Sequence, residues 1–198
     1  MIKALVTQFP LRSTAAAFAL ALFSTTMSSP VLASSIKQSH PPGWQKGIDF
    51  SSLPLEDAIV RVRGNGERKI ALIVDPSCPV SRMQEQELES VDNVTIYTFV
   101  ENLLHQPLGR EYTQLIKCQE GNDAQAAAWE NWMLKGQRPP SAASCQPPSI
   151  KAALGNLKNP DGKYYTQISP TVVFETGITG VGLVRTDDLE EVLEIKFD

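Results

Sequence analysis

Cys78-Pro79-Val80-Ser81 stands where a buried apolar run gives way to a helical pattern. It has the form of a Cys-x-x-Cys redox motif with serine in the second cysteine position. Thiol–disulfide exchange begins with attack of a thiolate on a disulfide sulfur and passes through a mixed disulfide. A helix start favours the thiolate, because unpaired backbone N–H groups and the helix dipole face it. Pro79 suits the first helical turn, where its missing N–H would have no partner anyway. Glu85 and Glu87 lie further along and oppose the effect weakly, and Arg82 offsets them. With Ser81 in place of a second thiol, Cys78 can attack a disulfide and hold it, but cannot release itself by closing an internal bond. The other reading of Cys78 is a small buried hydrophobe, a common fate of free cysteines. Spacing alone leaves both readings open.

A second signal is Ile168-Ser169-Pro170-Thr171, where an apolar strand starts after a Ser-Pro bond. A cis proline at such a turn would set backbone groups beside a substrate strand. Only about 5–6% of X–Pro bonds are cis in folded proteins, so the residues alone point to an ordinary strand opener. His40 and His105 are the only histidines and no paired Cys-x-x-Cys exists, so neither a metal site nor another cofactor is expected. Ser81 as a hydrolase nucleophile lacks both a Gly-x-Ser-x-Gly setting and a base.

The compartment follows from the start of the chain. Lys3 and Arg12 precede the apolar run Ala15–Phe23, and Val31-Leu32-Ala33 supplies a small-residue end. This pattern is a secretory signal peptide over 1–33, with cleavage expected after Ala33. Ser24, Thr25, Thr26, Ser28, Ser29 and Pro30 interrupt the run, whereas a membrane span needs about 20 predominantly apolar residues. No membrane insertion is expected after cleavage. The cleaved chain loses two basic residues and no acidic ones, taking the formal net charge from −4 to −6. An acidic, unclustered surface argues against nucleic acid as a partner. Residues 34–49 read as a flexible polar leader, and the remainder suits one domain.

An exported protein with three cysteines has at least one thiol to explain. Cys118 and Cys145 lie 27 positions apart and flank a helical stretch, which makes them natural partners, although sequence alone allows three pairings. Closing that loop would add roughly 3–4 kcal/mol on the chain-entropy model. Two buried thiols are the alternative. The pairing would leave Cys78 free.

The elements that must position Cys78 are legible in outline. Ala58–Arg63 alternates as a strand, Asn65-Gly66 signals a hairpin turn, and Lys69–Val74 reads as a strand covered on both faces. After Cys78, the spacing of Val80, Met83, Leu88 and Val91 predicts the inner face of a helix, with Gln84, Glu85, Gln86 and Glu89 on the wet side. Val94–Val100 is a second central strand. Tyr112, Leu115 and Ile116 suggest one helix, Ala124–Lys135 another, and Ser149 a cap for a third. Thr171–Phe174 returns to strand, and Thr176–Gly180 turns into a strand over Val181–Val184. A last helix begins near Asp187 with Glu190 completing a capping box, and buries Leu189, Val192, Leu193 and Phe197. Strands, a helical block, then strands and a helix describe an α/β domain.

Several blocks carry a resemblance. Phe50–Ile59, Arg63-Gly64-Asn65-Gly66, Ile73–Pro79, Asp92–Phe99, Cys118, Trp132–Gly136 and Cys145 resemble the periplasmic disulfide isomerases of the DsbC/DsbG type. The resemblance runs from about Phe50 to the C-terminus. It implies a thioredoxin-like fold over 50–198 with an inserted helical subdomain at about 104–157. It also implies a structural Cys118–Cys145 disulfide and Cys78 as the nucleophile. Ser81 then stands in the resolving position, and Pro79 and Val80 complete the motif loop. Ser169 and Pro170 become the substrate-contacting pair, with Pro170 cis beside the sulfur and Ser169 where the family often has threonine.

Two departures matter. Ser81 removes self-contained dithiol oxidation and reduction. The stretch from Ser34 to Phe50 is too short for the family's N-terminal dimerisation domain, so a monomer is expected. The expected partners are exported proteins with non-native disulfides or oxidised cysteines, with an external thiol or membrane reductase to free stalled complexes. Two other functions fit the same residues: reduction of sulfenylated or glutathionylated cysteines, and a non-catalytic chaperone or assembly factor of a secretion or conjugation system.

Overall fold

Two parallel strands make the centre of the sheet. β3 (Arg68–Val74) lies against β4 (Val94–Val100), with Ile70 opposite Ile96 and Val74 opposite Val100. Alternation along β3 sends Ile70, Leu72 and Val74 to one face and Ala71 and Ile73 to the other, and all five are buried. Burial on both faces is why this run reads as continuously apolar. The computed structural model describes residues 44–159 and 161–195, so the expected signal peptide, most of the leader and Phe197 lie outside the described residues.

The sheet has six strands in the order β1-β6-β5-β3-β4-β2. β2 (Ile59–Arg63) runs antiparallel to β4 at one edge. β5 (Thr171–Phe174) and β6 (Ile178–Val181) extend the other side, and β1 (Trp44–Lys46) closes it against β6. The helices are α1 (Pro79–Leu88), α2 (Pro107–Lys117), α3 (Asn122–Lys135), the short α4 (Lys151–Leu154) and α5 (Thr186–Leu193). Leu88 of α1, Ile116 of α2, Trp129 and Met133 of α3 and Leu189 of α5 cover one face. Ile48, Phe50, Leu53, Ile150, Leu154 and Tyr165 cover the other. Among the described residues no helix is long and apolar enough to cross a membrane.

Four local expectations change. The Asn65-Gly66 turn forms, with Gly66 N–H donating to the Arg63 carbonyl at 3.1 Å, yet β2 and β3 do not pair. β4 lies between them, hydrogen-bonded to both, so the turn spans two strand spacings instead of one. The domain also begins before residue 50. Trp44–Lys46 pair with Ile178–Gly180, and Ile48 is fully buried with its N–H on Thr179 Oγ1 at 3.0 Å. The last strand is Ile178–Val181 and not Val181–Val184, because pairing with β5 ends at Thr171 opposite Val181. Finally, Glu190 makes no capping box, since it is paired with Arg68. Glu87 of α1 caps α5 instead: its carboxylate accepts the Thr186 N–H at 2.9 Å and the Thr186 hydroxyl at 2.7 Å. Those two bonds, the hydroxyl first, hold the Glu87 carboxyl below its ordinary range.

Edge strands invite pairing with other chains unless they are covered. On β2 the Asn122 side chain does this for Val60. Its Oδ1 accepts the Val60 N–H at 2.7 Å and its Nδ2 donates to the Val60 carbonyl at 2.8 Å.

Candidate active site

Cys78 sits at the carboxyl end of β3, the end of a parallel strand where open α/β sheets place their ligand sites. It is the N-cap residue of α1, with φ −83° and ψ 118°, and Pro79 occupies the first helical turn. The sequence Asp75-Pro76-Ser77 explains the break. Asp75 Oδ1 accepts the Ser77 N–H at 2.7 Å and the Ser77 hydroxyl at 2.5 Å, while the Cys78 N–H donates to the Asp75 carbonyl at 3.0 Å. The second oxygen of Asp75 accepts the Leu104 N–H at 2.9 Å, tying the start of the insertion to the same turn. Asp75 is fully buried with these bonds made.

The structure brings Cys78, Ser81, Ser169 and Pro170 together. Ser169-Pro170 is a cis peptide at the start of β5. The Cys78 thiol donates to the Ser169 carbonyl across 3.4 Å. Ser81 is fully buried, its hydroxyl 2.7 Å from that of Ser169, which also accepts the Asp75 N–H at 2.8 Å. Serine at both positions thus forms a polar bridge between α1 and the Ser169-Pro170 turn that leads into β5. Cys78 is free and only 6% exposed, while Pro79 and Val80 face outward at the rim.

The helix that carries the thiol buries a different face from the one its apolar spacing predicts. Val80 and Met83 are 36% and 44% exposed, whereas Ser81, Gln84 and Glu85 are fully buried with Leu88. Each polar group on this face has an assigned partner. Gln84 exchanges two hydrogen bonds with the Val184 backbone, at 3.1 and 2.8 Å. Glu85 takes a bidentate pair from Arg61 at 2.8 Å on each arm, and the Trp129 indole N–H at 2.8 Å. Burial pulls the Arg61 guanidinium down, but the charge and hydrogen bonds of Glu85, and then Glu130, hold it above its ordinary value. The Arg61 charge therefore offsets that of Glu85 inside the protein, which weakens the opposition of Glu85 to a thiolate at Cys78. Arg82 is committed elsewhere. Its Nη1 donates to the Trp132 and Met133 carbonyls at the end of α3, both at 2.9 Å.

The inserted helices therefore clasp the motif. The structure also joins Cys118 at the end of α2 to Cys145 in the irregular segment after α3. Gly109 brings α2 within touching distance of the Asp75 turn. A methyl group there would lie 2.8 Å from Asn102 Oδ1, 2.8 Å from Asp75 Oδ1 and 2.9 Å from Ser77 Oγ. Asp75 Oδ1 cannot swing aside without breaking its two bonds to Ser77. Gly109→Ala should therefore destabilise by about 1–3 kcal/mol. That outweighs the roughly 1 kcal/mol that alanine gains over glycine inside a helix. The check is the thermal unfolding midpoint, and a rise in Tm would refute the close approach.

Sequence reasoning missed Asp75, Trp132, Arg61 and the burial of Glu85. Asp75-Pro76-Ser77 carries an Asx-turn signature that could have flagged the first. Ser81, Gln84, Glu85 and Leu88 follow the i, i+3, i+4, i+7 pattern of one helix face. Their polarity hid that face, because hydropathy cannot see a partner on another element.

Residues 55–195 match the thioredoxin-like domain model. Over 143 residues the chain is 34% identical to a protein of Bordetella pertussis named a probable thiol:disulfide interchange protein DsbC, covering 72% of this chain and 48% of that one. A Bordetella avium protein of the same name is 32% identical over 147 residues, or 74% and 49%. The chain thus spans about half the length of these curated relatives. A crystal structure of a disulfide interchange protein from Neisseria gonorrhoeae superposes with a TM-score of 0.60 at 34% identity, covering 71% of this chain and 96% of that one. Fold and sequence agree, and the chain belongs to the thioredoxin-like family, among the thiol:disulfide interchange proteins of the DsbC type.

Proposed function

We propose that this protein is an exported, periplasmic disulfide isomerase-like protein that works through the single thiol of Cys78. The observation that carries the reading is the placement of that thiol. It is the free cysteine, it caps α1, and its sulfur lies 3.4 Å from the carbonyl that precedes cis Pro170. A substrate strand lying along that turn would bring a disulfide to the sulfur.

The Cys78 thiolate attacks one sulfur of a non-native disulfide. One S–S bond breaks, a mixed disulfide forms, and the second substrate sulfur leaves as a thiolate. That thiolate, or another in the same substrate, attacks elsewhere and finally displaces Cys78. One disulfide is exchanged for another with no net electron transfer. Ser81 supplies no second sulfur, so a complex in which the substrate finds no internal partner waits for an external thiol such as glutathione. Its substrates on this reading are exported proteins with misplaced disulfides, and residues 1–33 direct it to the same compartment.

In a glutathione buffer the protein should speed reactivation of scrambled ribonuclease, and it should reduce insulin no faster than the buffer does. Cys78→Ala should return reactivation to the buffer rate. If the alanine protein rescues scrambled ribonuclease as well as the wild type does, the reading fails.

A further inference from the structure

Trp132 lies outside the Cys-x-x-Ser motif, on α3, yet it touches the chain on both sides of Cys78. Its indole N–H donates to the Pro76 carbonyl at 2.7 Å. Its own carbonyl accepts from Arg82 at 2.9 Å, and the Arg82 guanidinium lies 4.8 Å from the centre of its ring. Tyr112 of α2 meets the same ring edge to face, with centroids 4.3 Å apart, so the indole is held between two helices.

The contact with Pro76 has a specific consequence. The peptide group between Pro76 and Ser77 has two polar ends. Trp132 holds the C=O, and Asp75 Oδ1 holds the N–H at 2.7 Å. Pro76 is buried, so its carbonyl has no ready supply of water to replace the indole. With both ends fixed, that peptide plane cannot rotate, and the direction in which Cys78 leaves the turn is set. Without the indole N–H, the plane is free to turn in search of another donor, and the sulfur moves with it.

We infer that Trp132 is a positioning residue for Cys78, aligning the sulfur with the Ser169-Pro170 turn by pinning the Pro76–Ser77 peptide. The inference rests on the reading of Cys78 as the exchanging thiol. Disulfide exchange needs the attacking sulfur in line with the S–S bond, whereas alkylation by a small reagent needs only an accessible thiolate. The two reactions therefore separate alignment from loosening.

The test compares wild type, Trp132→Phe, which keeps a ring for Tyr112 and Arg82 but lacks the N–H, and Val192→Ala, a core truncation in α5. The exchange rate of Cys78 with a disulfide-bonded peptide should fall about tenfold in Trp132→Phe, with iodoacetamide alkylation unchanged within about twofold. Hydrogen exchange at the Ser77 amide should rise about tenfold in the same variant and stay put in Val192→Ala. An unchanged peptide-exchange rate overturns the inference. So does a fall in exchange accompanied by faster alkylation, which marks general exposure of a thiol that is normally buried. If the wild type exchanges no faster than free glutathione, the functional reading fails. The pinning is then judged on the Ser77 amide alone, and unchanged protection there overturns it.

Discussion

Arg61→Leu should lower the free energy of unfolding by about 3–5 kcal/mol, a large share of the 5–15 kcal/mol that holds a domain together. The size follows from what the substitution leaves behind. Glu85 is fully buried and Arg61 is 5% exposed at the side chain, so water does not replace the guanidinium. The carboxylate would keep the Trp129 N–H and lose both arms of the bidentate pair. Thr98 would lose its 3.0 Å donor from Arg61. Glu130, 3.5 Å from Arg61 and 39% exposed, contributes little, as partly solvated pairs do. The pair itself is not the source of the effect. Replacing a buried ion pair by apolar groups is often neutral or stabilising, whereas removing one partner is costly. Arg61→Leu with Glu85→Leu should accordingly regain a substantial part of the single-variant loss. The remaining deficit is the orphaned Trp129 N–H, at about 1–3 kcal/mol. Denaturant titrations of the two singles and the double measure this, with unchanged m-values as the sign that the transition remains two-state. A single Arg61→Leu within about 1 kcal/mol of wild type would show that water reaches Glu85 after all.

The same cluster shows where the sequence stops being informative. β3 and β4 are legible because burial on both faces makes each a near-continuous apolar run, and Ile70 to Val74 or Val94 to Val100 carry that signal within one stretch. The Asn65-Gly66 turn is legible for the same local reason. Which strand lies beside β2 is not, because that depends on β4, a distant stretch of chain, entering the gap. α1 is the stronger case. Its first turn reads correctly from Cys78 and Pro79, but Gln84 and Glu85 turn inward because Val184 backbone, Arg61 and Trp129 wait there. Those partners lie from 24 to 100 positions away. The site divides along the same line. A lone thiol at a helix start is visible in Cys78-Pro79-Val80-Ser81, and the Ser169-Pro170 turn is visible as a breaker before a strand. That the two meet, with Ser81 on Ser169, is set by the pairing of β3 with β5. The cis isomer is legible only through family resemblance, since the residues themselves point the other way.

If Cys78 exchanges disulfides as proposed, Ser81→Cys should convert a site that only holds them into one that also reduces them. Ser81 is the third residue of α1 and Cys78 its N-cap, so their Cα atoms are about 5 Å apart by helix geometry. A disulfide needs about 4.4–6.8 Å between Cα atoms, and the two side chains leave the same side of the first turn. The loss is small: the Ser81–Ser169 hydrogen bond, on the order of 1 kcal/mol, while Ser169 keeps the Asp75 N–H. The gain is kinetic. On the proposed mechanism a stalled mixed disulfide of the wild type waits for an external thiol, whereas the introduced thiol would be tethered next to the Cys78 sulfur. Well-oriented intramolecular groups act at effective concentrations of about 10⁵ M or more, far above millimolar glutathione. Insulin reduction in dithiothreitol should therefore rise from the uncatalysed rate to at least about tenfold above it, and mixed disulfides trapped on wild-type Cys78 should vanish from non-reducing gels. In an oxidising glutathione buffer, mass spectrometry should find Cys78 bonded to the introduced cysteine, alongside an intact Cys118–Cys145. A variant that folds, keeps both of those motif thiols free under the same conditions, and leaves insulin untouched would place Cys78 beyond reach of its neighbour. Cys-Pro-Val-Ser would then be a cysteine at a helix start and not a truncated redox pair.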